Sequence, residues 1–287
     1  STGKIIKDIL TIGIPIAFGA CIMAILNSVD SKLCMNRLQS AAGFSYYEAK
    51  VLYGVYGKAQ TLFNLPAAFI TPLTIAIVPE ISAAIARGEK RRASVVAEDS
   101  MRISAVVSMP MGIGLMVLAF PIMEVLYPNS NAAGPGLLKI MGVASLFVCL
   151  VLMENAVLQA SGHEKLTMVP MIPGGLVKIA TNWFLVARPE INIYGAPVGT
   201  LVSYIVMAAM NYIFMCRAFD ERPRLIKMFA RPLAASLVMG AAAWAVYGVS
   251  ARFIGAGWLE TAVCMLLGVL AAVIVYLVFI ICLRAIT

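Results

Sequence analysis

Residues 261–283 read TAVCMLLGVLAAVIVYLVFIICL, 23 residues without a charge, closed by Glu260 on one side and Arg284 on the other. About 20 apolar residues at 1.5 Å per residue cross the ~30 Å of hydrocarbon in a bilayer, so this run is a membrane span. Working outward from it, further uncharged runs occupy 9–29, 61–78, 103–123, 140–153, 191–216 and 232–251. Two runs carry a single charge: the one from Ile140 continues past Glu154 to Ala160, and 166–187 holds Lys178 in its middle. Eight helices are expected. In hydrocarbon each backbone N–H and C=O must find its partner inside its own helix, so no sheet is expected at that depth.

The composition agrees. The chain of 287 residues is 61% apolar and 13% charged, against about 45–50% and about 25% in soluble domains. An ordinary soluble domain and a disordered chain are both excluded. The fold class is an all-α polytopic membrane protein. Of the six cysteines, only Cys34 lies in a polar stretch, there is no CxxC pair, and His163 is the one histidine. Neither a disulfide framework nor a metal site is indicated, and no cofactor is expected. The chain starts at Ser1, and its first apolar run is too long for a signal-peptide core. It reads as a piece of a longer protein.

The net charge of +8 acquires a meaning when each basic residue is placed. With a cytoplasmic N-terminus, the inner side collects Lys4, Lys7, Arg87, Lys90, Arg91, Arg92, Arg102, Lys165, Arg217, Arg222, Arg224, Lys227, Arg231 and Arg284. The outer side holds Lys32, Arg37, Lys50, Lys58, Lys139, Arg188 and Arg252. Basic residues collect on the cytoplasmic side of membrane proteins, so both ends of this segment are placed there, in the cell membrane. The excess is then a basic inner rim facing anionic lipid headgroups, with no nucleic-acid partner required. Tyr127, Tyr194, Tyr247 and Trp258 fall at expected outer helix ends, where amphipathic rings prefer to sit.

Most connections are tight turns, as at 129–136, 161–165 and 189–192, and leave no room for a folded domain. Residues 30–60 read as one long loop, either a gating or interfacial segment or an ordinary solvated one. Pro15, Pro66, Pro72, Pro110, Pro121, Pro170 and Pro173 recur at membrane depth, and Gly174 and Gly175 follow the last of them. Such interruptions suit a bundle that moves. The spacing Gly195-x-x-x-Gly199 permits close helix packing.

The charges inside the membrane are the candidate site. Lys178 costs about 2.5–3.5 kcal/mol on insertion scales and needs a partner or a wet cavity. Thr181 and Asn182 follow at i+3 and i+4, on the same helical face. Glu154 and Asn155 lie on the preceding helix, and the hairpin register leaves a mismatch of about 7 Å that two long side chains could partly bridge. Glu154 and Lys178 are therefore expected to face one another or to share a hydrated cavity. Asp30, directly after the first span, lines an outer mouth or is a helix-end charge in water. No HExxH, GxSxG, Walker or paired-carboxylate arrangement occurs on a soluble face.

Five segments, in this order, resemble one family: IGIPIAFGACIMAILNSVDSKL, LPAAFITPLTIAIVPEISAAIARGE, AVLQASGHEKL, LVKIATNWFLV and IYGAPVGTLVSY. They are similar to the C-terminal half of stage V sporulation protein B-like polysaccharide flippases, within the multidrug/oligosaccharidyl-lipid/polysaccharide exporter superfamily. The resemblance implies fourteen helices in two six-helix lobes around a central cavity, with two extra C-terminal helices. Residues 1–219 would be helices seven to twelve and 220–287 the last pair, the first lobe being absent. It further implies that a lipid-linked glycan precursor is carried from the inner to the outer leaflet by alternating access. Lys178 would then meet the pyrophosphate head, with Arg37, Lys32 or Lys58 at the outer mouth. Glu154, Asn155, Asn182 and Asp30 complete the candidate contacts. Two alternatives stand beside it: a cation-coupled multidrug exporter resting on Glu154 and Asp30, and a membrane-embedded glycosyltransferase or polymerase, for which the loops are too short.

Overall fold

A computed structural model describes residues 28–219, 225–255 and 257–282. Among these residues it is helical throughout, without a strand. The helices are α1 (28–40), α2 (Tyr46–Ala86), α3 (Lys90–Val117), α4 (Ala119–Leu126), α5 (Gly134–Ala160), α6 (Met171–Leu185), α7 (Gly195–Ala218), α8 (Leu225–Ile254) and α9 (Trp258–Cys282). Six of them, α2, α3, α5, α7, α8 and α9, are long and apolar enough to cross a membrane. The protein is thus a multi-pass, all-α membrane protein. The first expected span lies outside the described residues except for its last two.

The long loop expected at 30–60 does not exist. Only residues 41–45 separate α1 from α2, and α2 itself runs for 41 residues, about 60 Å and twice the hydrocarbon thickness. Its start is set by a capping box: the Ser45 hydroxyl accepts from the Glu48 N–H while the Glu48 carboxylate accepts from the Ser45 N–H. Beyond the cap, Ala49, Val55, Tyr56, Ala59, Leu62, Phe63, Pro66 and Ile70 form one buried stripe at helical spacing. Glu48 and Lys50 are exposed, off that stripe. The charges that make the segment look like a loop decorate the outside of a packed helix.

Two other boundaries follow from proline. The expected single helix over 103–123 breaks at Leu118, because Pro121 has no N–H to give to Val117, the residue at which α3 ends. The expected span over 166–187 shortens to the 15 residues of α6, preceded by a 3-10 turn at Glu164–Thr167. Pro173 sits in the first turn of α6, where N–H groups have no intrahelical partner, and its ring bars the helix from starting further upstream.

The helix α5 is the hub. It packs against α2, α3, α4 and α7, and Leu137, Met141, Ala144, Cys149, Met153, Val157 and Leu158 are fully buried along it. A Cβ on Gly142 would lie 2.8 Å from the Gly112 carbonyl oxygen, so α3 and α5 cross backbone to backbone. The pair α8 and α9 forms a hairpin against α3 and α4. A separate apolar cluster fastens it, built from Ile113 and Leu118 on one side and Met239, Ala243, Ala272 and Tyr276 on the other. Trp258 at the start of α9 donates its indole N–H to the Val125 carbonyl at 3.2 Å.

Candidate functional site

The Lys178 ammonium has a partner inside the bundle, and it is Asp30. Nζ lies 2.9 Å from Asp30 Oδ2, with the two side chains 14% and 4% exposed. An isolated charge at this depth is costly, and pairing with a hydrogen-bonded counter-charge removes most of that cost. Asn182, one turn after Lys178 on α6, donates from Nδ2 to Asp30 Oδ1. Cys34, one turn after Asp30 on α1, approaches the same oxygen at 3.9 Å and accepts from Asn182 Nδ2 at 3.6 Å. A carboxylate and an ammonium are thus stitched across α1 and α6 by a buried amide and thiol.

Of the two arrangements expected for Glu154 and Lys178, the one in which they face one another is not met: among the described residues the ion pair of Lys178 is with Asp30. The counter-charge comes from α1, 148 residues before Lys178, and the hairpin between α5 and α6 does not set the register that matters. Asp30 is likewise no helix-end charge in water, being 3% exposed.

The α6–α7 contact seats this seam. A Cβ on Gly199 would collide with Asn182 Oδ1, and one on Gly195 would lie 2.8 Å from Leu185 Cβ. The Gly195-x-x-x-Gly199 spacing lets α7 close on α6 and hold the Asn182 amide toward Asp30. One position beyond Gly199, the Thr200 hydroxyl meets the Tyr56 hydroxyl of α2 at 3.0 Å, and Gln60 Nε2 donates to Tyr56 at 3.3 Å. Tyr53 stands edge-on to Tyr56, with centroids 5.8 Å apart.

Toward the surface the seam ends at Arg37. Its guanidinium lies 3.7 Å from the centroid of the Trp183 ring, and Nε donates to the Trp183 carbonyl at 3.2 Å. Stacking and this hydrogen bond orient the group, and among the described residues no carboxylate pairs with its terminal NH2 groups. Lys58 is elsewhere, with Nζ 5.2 Å from the Tyr127 ring centroid and 3.4 Å from Ser130 Oγ.

Of the sequence-derived candidates, Asp30, Lys178, Asn182 and Arg37 converge on the α1–α6 seam. Glu154 and Asn155 do not; they lie between α5 and α7 beside Asn211, whose Nδ2 donates to Asn155 Oδ1 at 2.9 Å. Cys34, Tyr56, Trp183, Thr200 and Asn211 were not anticipated. An i, i+4, i+8 reading of Asp30, Cys34 and Leu38, all buried, is the signal that would have found the first.

Away from the seam, an apolar groove of about 380 Å³ opens between α2, α3, α4, α8 and α9. Leu65, Pro110, Gly114, Leu118, Met239 and Tyr276 are among the residues lining it.

A family model described as lipid II flippase MurJ matches residues 45–268. Three Bacillus subtilis (strain 168) proteins are similar over much of the chain. An uncharacterized membrane protein, YabM, is 26% identical over 84% of this chain and 44% of its own length. Stage V sporulation protein B is 26% identical over 76% of this chain and 43% of its own. Lipid II flippase MurJ is 21% identical over 96% of this chain and 51% of its own. The chain spans about half the length of the curated relatives it matches.

Proposed function

Because the chain belongs to the lipid II flippase MurJ family, we propose that it serves the transfer of a lipid-linked glycan precursor from the inner to the outer leaflet by alternating access. The function is transport, without covalent chemistry on the substrate. The observation that carries this reading is the α1–α6 seam: a buried, neutralised pair at its base and an oriented, part-exposed guanidinium at its mouth.

The roles differ from those expected for the two cations. Lys178 is committed to Asp30, so it organises the seam and does not meet the head directly in this conformation. Arg37 has donors to spare, and a guanidinium fork matches the oxygens of a pyrophosphate. The lipid tail needs a water-free path, which the groove lined by Leu65, Met239 and Tyr276 offers. A bilobed cavity would be completed by the part of the protein corresponding to the other half of its relatives.

Orientation belongs to the same reading. The turn between α2 and α3 concentrates Arg87, Lys90, Arg91 and Arg92 around one acid, Glu89, which pairs with Arg87 at 3.0 Å and Arg92 at 3.4 Å. The Arg87 hydrogen bond holds the Glu89 carboxyl below the usual glutamate range. One acid among four bases leaves a positive rim, suited to anionic headgroups of the cytoplasmic leaflet.

The experiment is a leaflet-accessibility assay for lipid-linked precursor with the full-length protein. Arg37→Ala is expected to lower transfer at least tenfold while leaving the protein folded, and Arg37→Lys to restore only part of it. Transfer unchanged by Arg37→Ala would end the proposal for the seam.

A further inference from the structure

Pro110 stands inside α3 and has no N–H to give to the carbonyl of Val106, four residues earlier. A backbone group without a partner is costly in hydrocarbon, and a neighbouring helix has to supply one. Here α9 does so: the Tyr276 hydroxyl donates to the Val106 carbonyl at 2.6 Å. The bond serves both sides, because a buried phenol also needs an acceptor. Eighteen residues earlier on α9, Trp258 donates in the same way to Val125, in the last turn of α4. The helix α9 is thus tied at two depths about 27 Å apart, each time to a carbonyl that its own helix leaves free.

The apolar groove lies between these two ties. Its lining on α3 begins at Pro110 and ends at Leu118, and on α9 it runs from Val269 to Leu277, about 12 Å along either axis. That is under half of the ~30 Å of hydrocarbon. Next to Val269, a Cβ on Gly268 would lie 3.2 Å from the Ala243 carbonyl oxygen, so α8 and α9 close on one another there. At the other end the Tyr276 side chain crosses from α9 to α3, reaching Val106 one turn before the lining of α3 begins. Behind it at i+4, Ile280 is 3% exposed and packs in the same apolar cluster as Tyr276 and Met239. The phenol ring therefore stands between the open groove and closed packing.

We propose that Tyr276 is the end-stop of the groove and sets the length of apolar chain that the groove accepts. That chain is the lipid tail of the proposed substrate, so the specificity role rests on the flippase reading; the latch between Tyr276 and Val106 does not. A stretch of tail up to about 12 Å long lies in the groove, and the remainder turns out into the bilayer at the tyrosine. Pro110 is what keeps the stop in place. With any other residue there, Val106 would be served by its own helix and the phenol would lose its hold on α3.

A double-mutant cycle on the detergent-solubilised full-length protein tests the latch. Tyr276→Phe is expected to shift the folding equilibrium about threefold to tenfold toward the unfolded state. In a Pro110→Ala background, where the new N–H serves Val106, the same change should shift it little. Equal shifts in the two backgrounds would overturn the latch. The stop is tested in proteoliposomes with two lipid II analogues, one whose tail fits the groove and one whose tail outreaches it. Tyr276→Ala is expected to raise the ratio of kcat/KM for the longer over the shorter several-fold, through KM, and Tyr276→Phe, which keeps the ring, to raise it less. Where Tyr276→Ala fails to fold, Tyr276→Leu shortens the side chain with less loss of packing and should move the ratio the same way. An unchanged ratio would overturn the stop. A wild type that transfers neither analogue would instead remove the flippase reading. Phosphatidylcholine with a photoreactive group at its chain end then decides the stop: Ile280 is expected to be labelled in Tyr276→Ala and spared in the wild type, and equal labelling would overturn it.

Discussion

Truncating Lys178 to methionine leaves the Asp30 carboxylate in the bundle with only Asn182 and Cys34 to hold it. Removing one partner of a buried ion pair typically costs about 3–5 kcal/mol, because the remaining charge keeps its desolvation penalty. Lys178→Met is therefore expected to lower the melting temperature of the detergent-solubilised protein markedly. Adding Asp30→Asn should recover most of the loss, as no buried charge then remains. A double variant no more stable than the single would show that the pair is not the unit. At this scale the sequence announces the problem, a lysine within an apolar run, but not its solution. Asp30 is distant in the chain and sits among Ser28, Lys32 and Asn36, which read as solvent-facing. Only the helical register of α1 turns it inward.

Elements meet in this bundle where side chains are absent. Gly142 touches the backbone of α3 at the Gly112 carbonyl, and a side chain there must push two spans apart. Gly142→Val is expected to cost about 1–3 kcal/mol, read as a lower melting temperature. By contrast Gly57, which has open space around its Cβ position, should accept alanine without loss. Equal stability of the two variants would sink the close-crossing argument. Element existence was legible wherever apolar runs are long, as in α5 and α9. It was illegible over 46–60, where a charge count outweighed the capping box at Ser45 and the buried stripe behind it. The boundary at Leu118 was not legible, since it falls inside the uncharged run 103–123, and only the structure shows Pro121 withholding an N–H from Val117.

For the whole molecule, the groove beside the α8–α9 hairpin is the feature to which the proposed function assigns the lipid tail. Gly114 lines it, and a Cβ there meets nothing within 4 Å. Gly114→Leu should therefore fill the groove without disturbing the packing around it, leaving stability equal or slightly raised, since glycine is a poor helix former. Transfer of a long-tailed precursor is expected to slow several-fold, and that of a short-tailed analogue to be spared. Equal slowing of both would place the tail elsewhere.

What the amino-acid sequence determined by itself is the class of the protein: a helical membrane chain with a basic excess and a cation too deep to be left alone. Those follow from composition and run length, which the bilayer reads one helix at a time. What only the tertiary structure decided is which polar groups belong together. Asp30 finds Lys178, Arg37 finds Trp183, and Asn155 finds Asn211, because a polar group inside the bundle takes the partner that helix packing delivers in space. Separation along the chain carries no information about that choice.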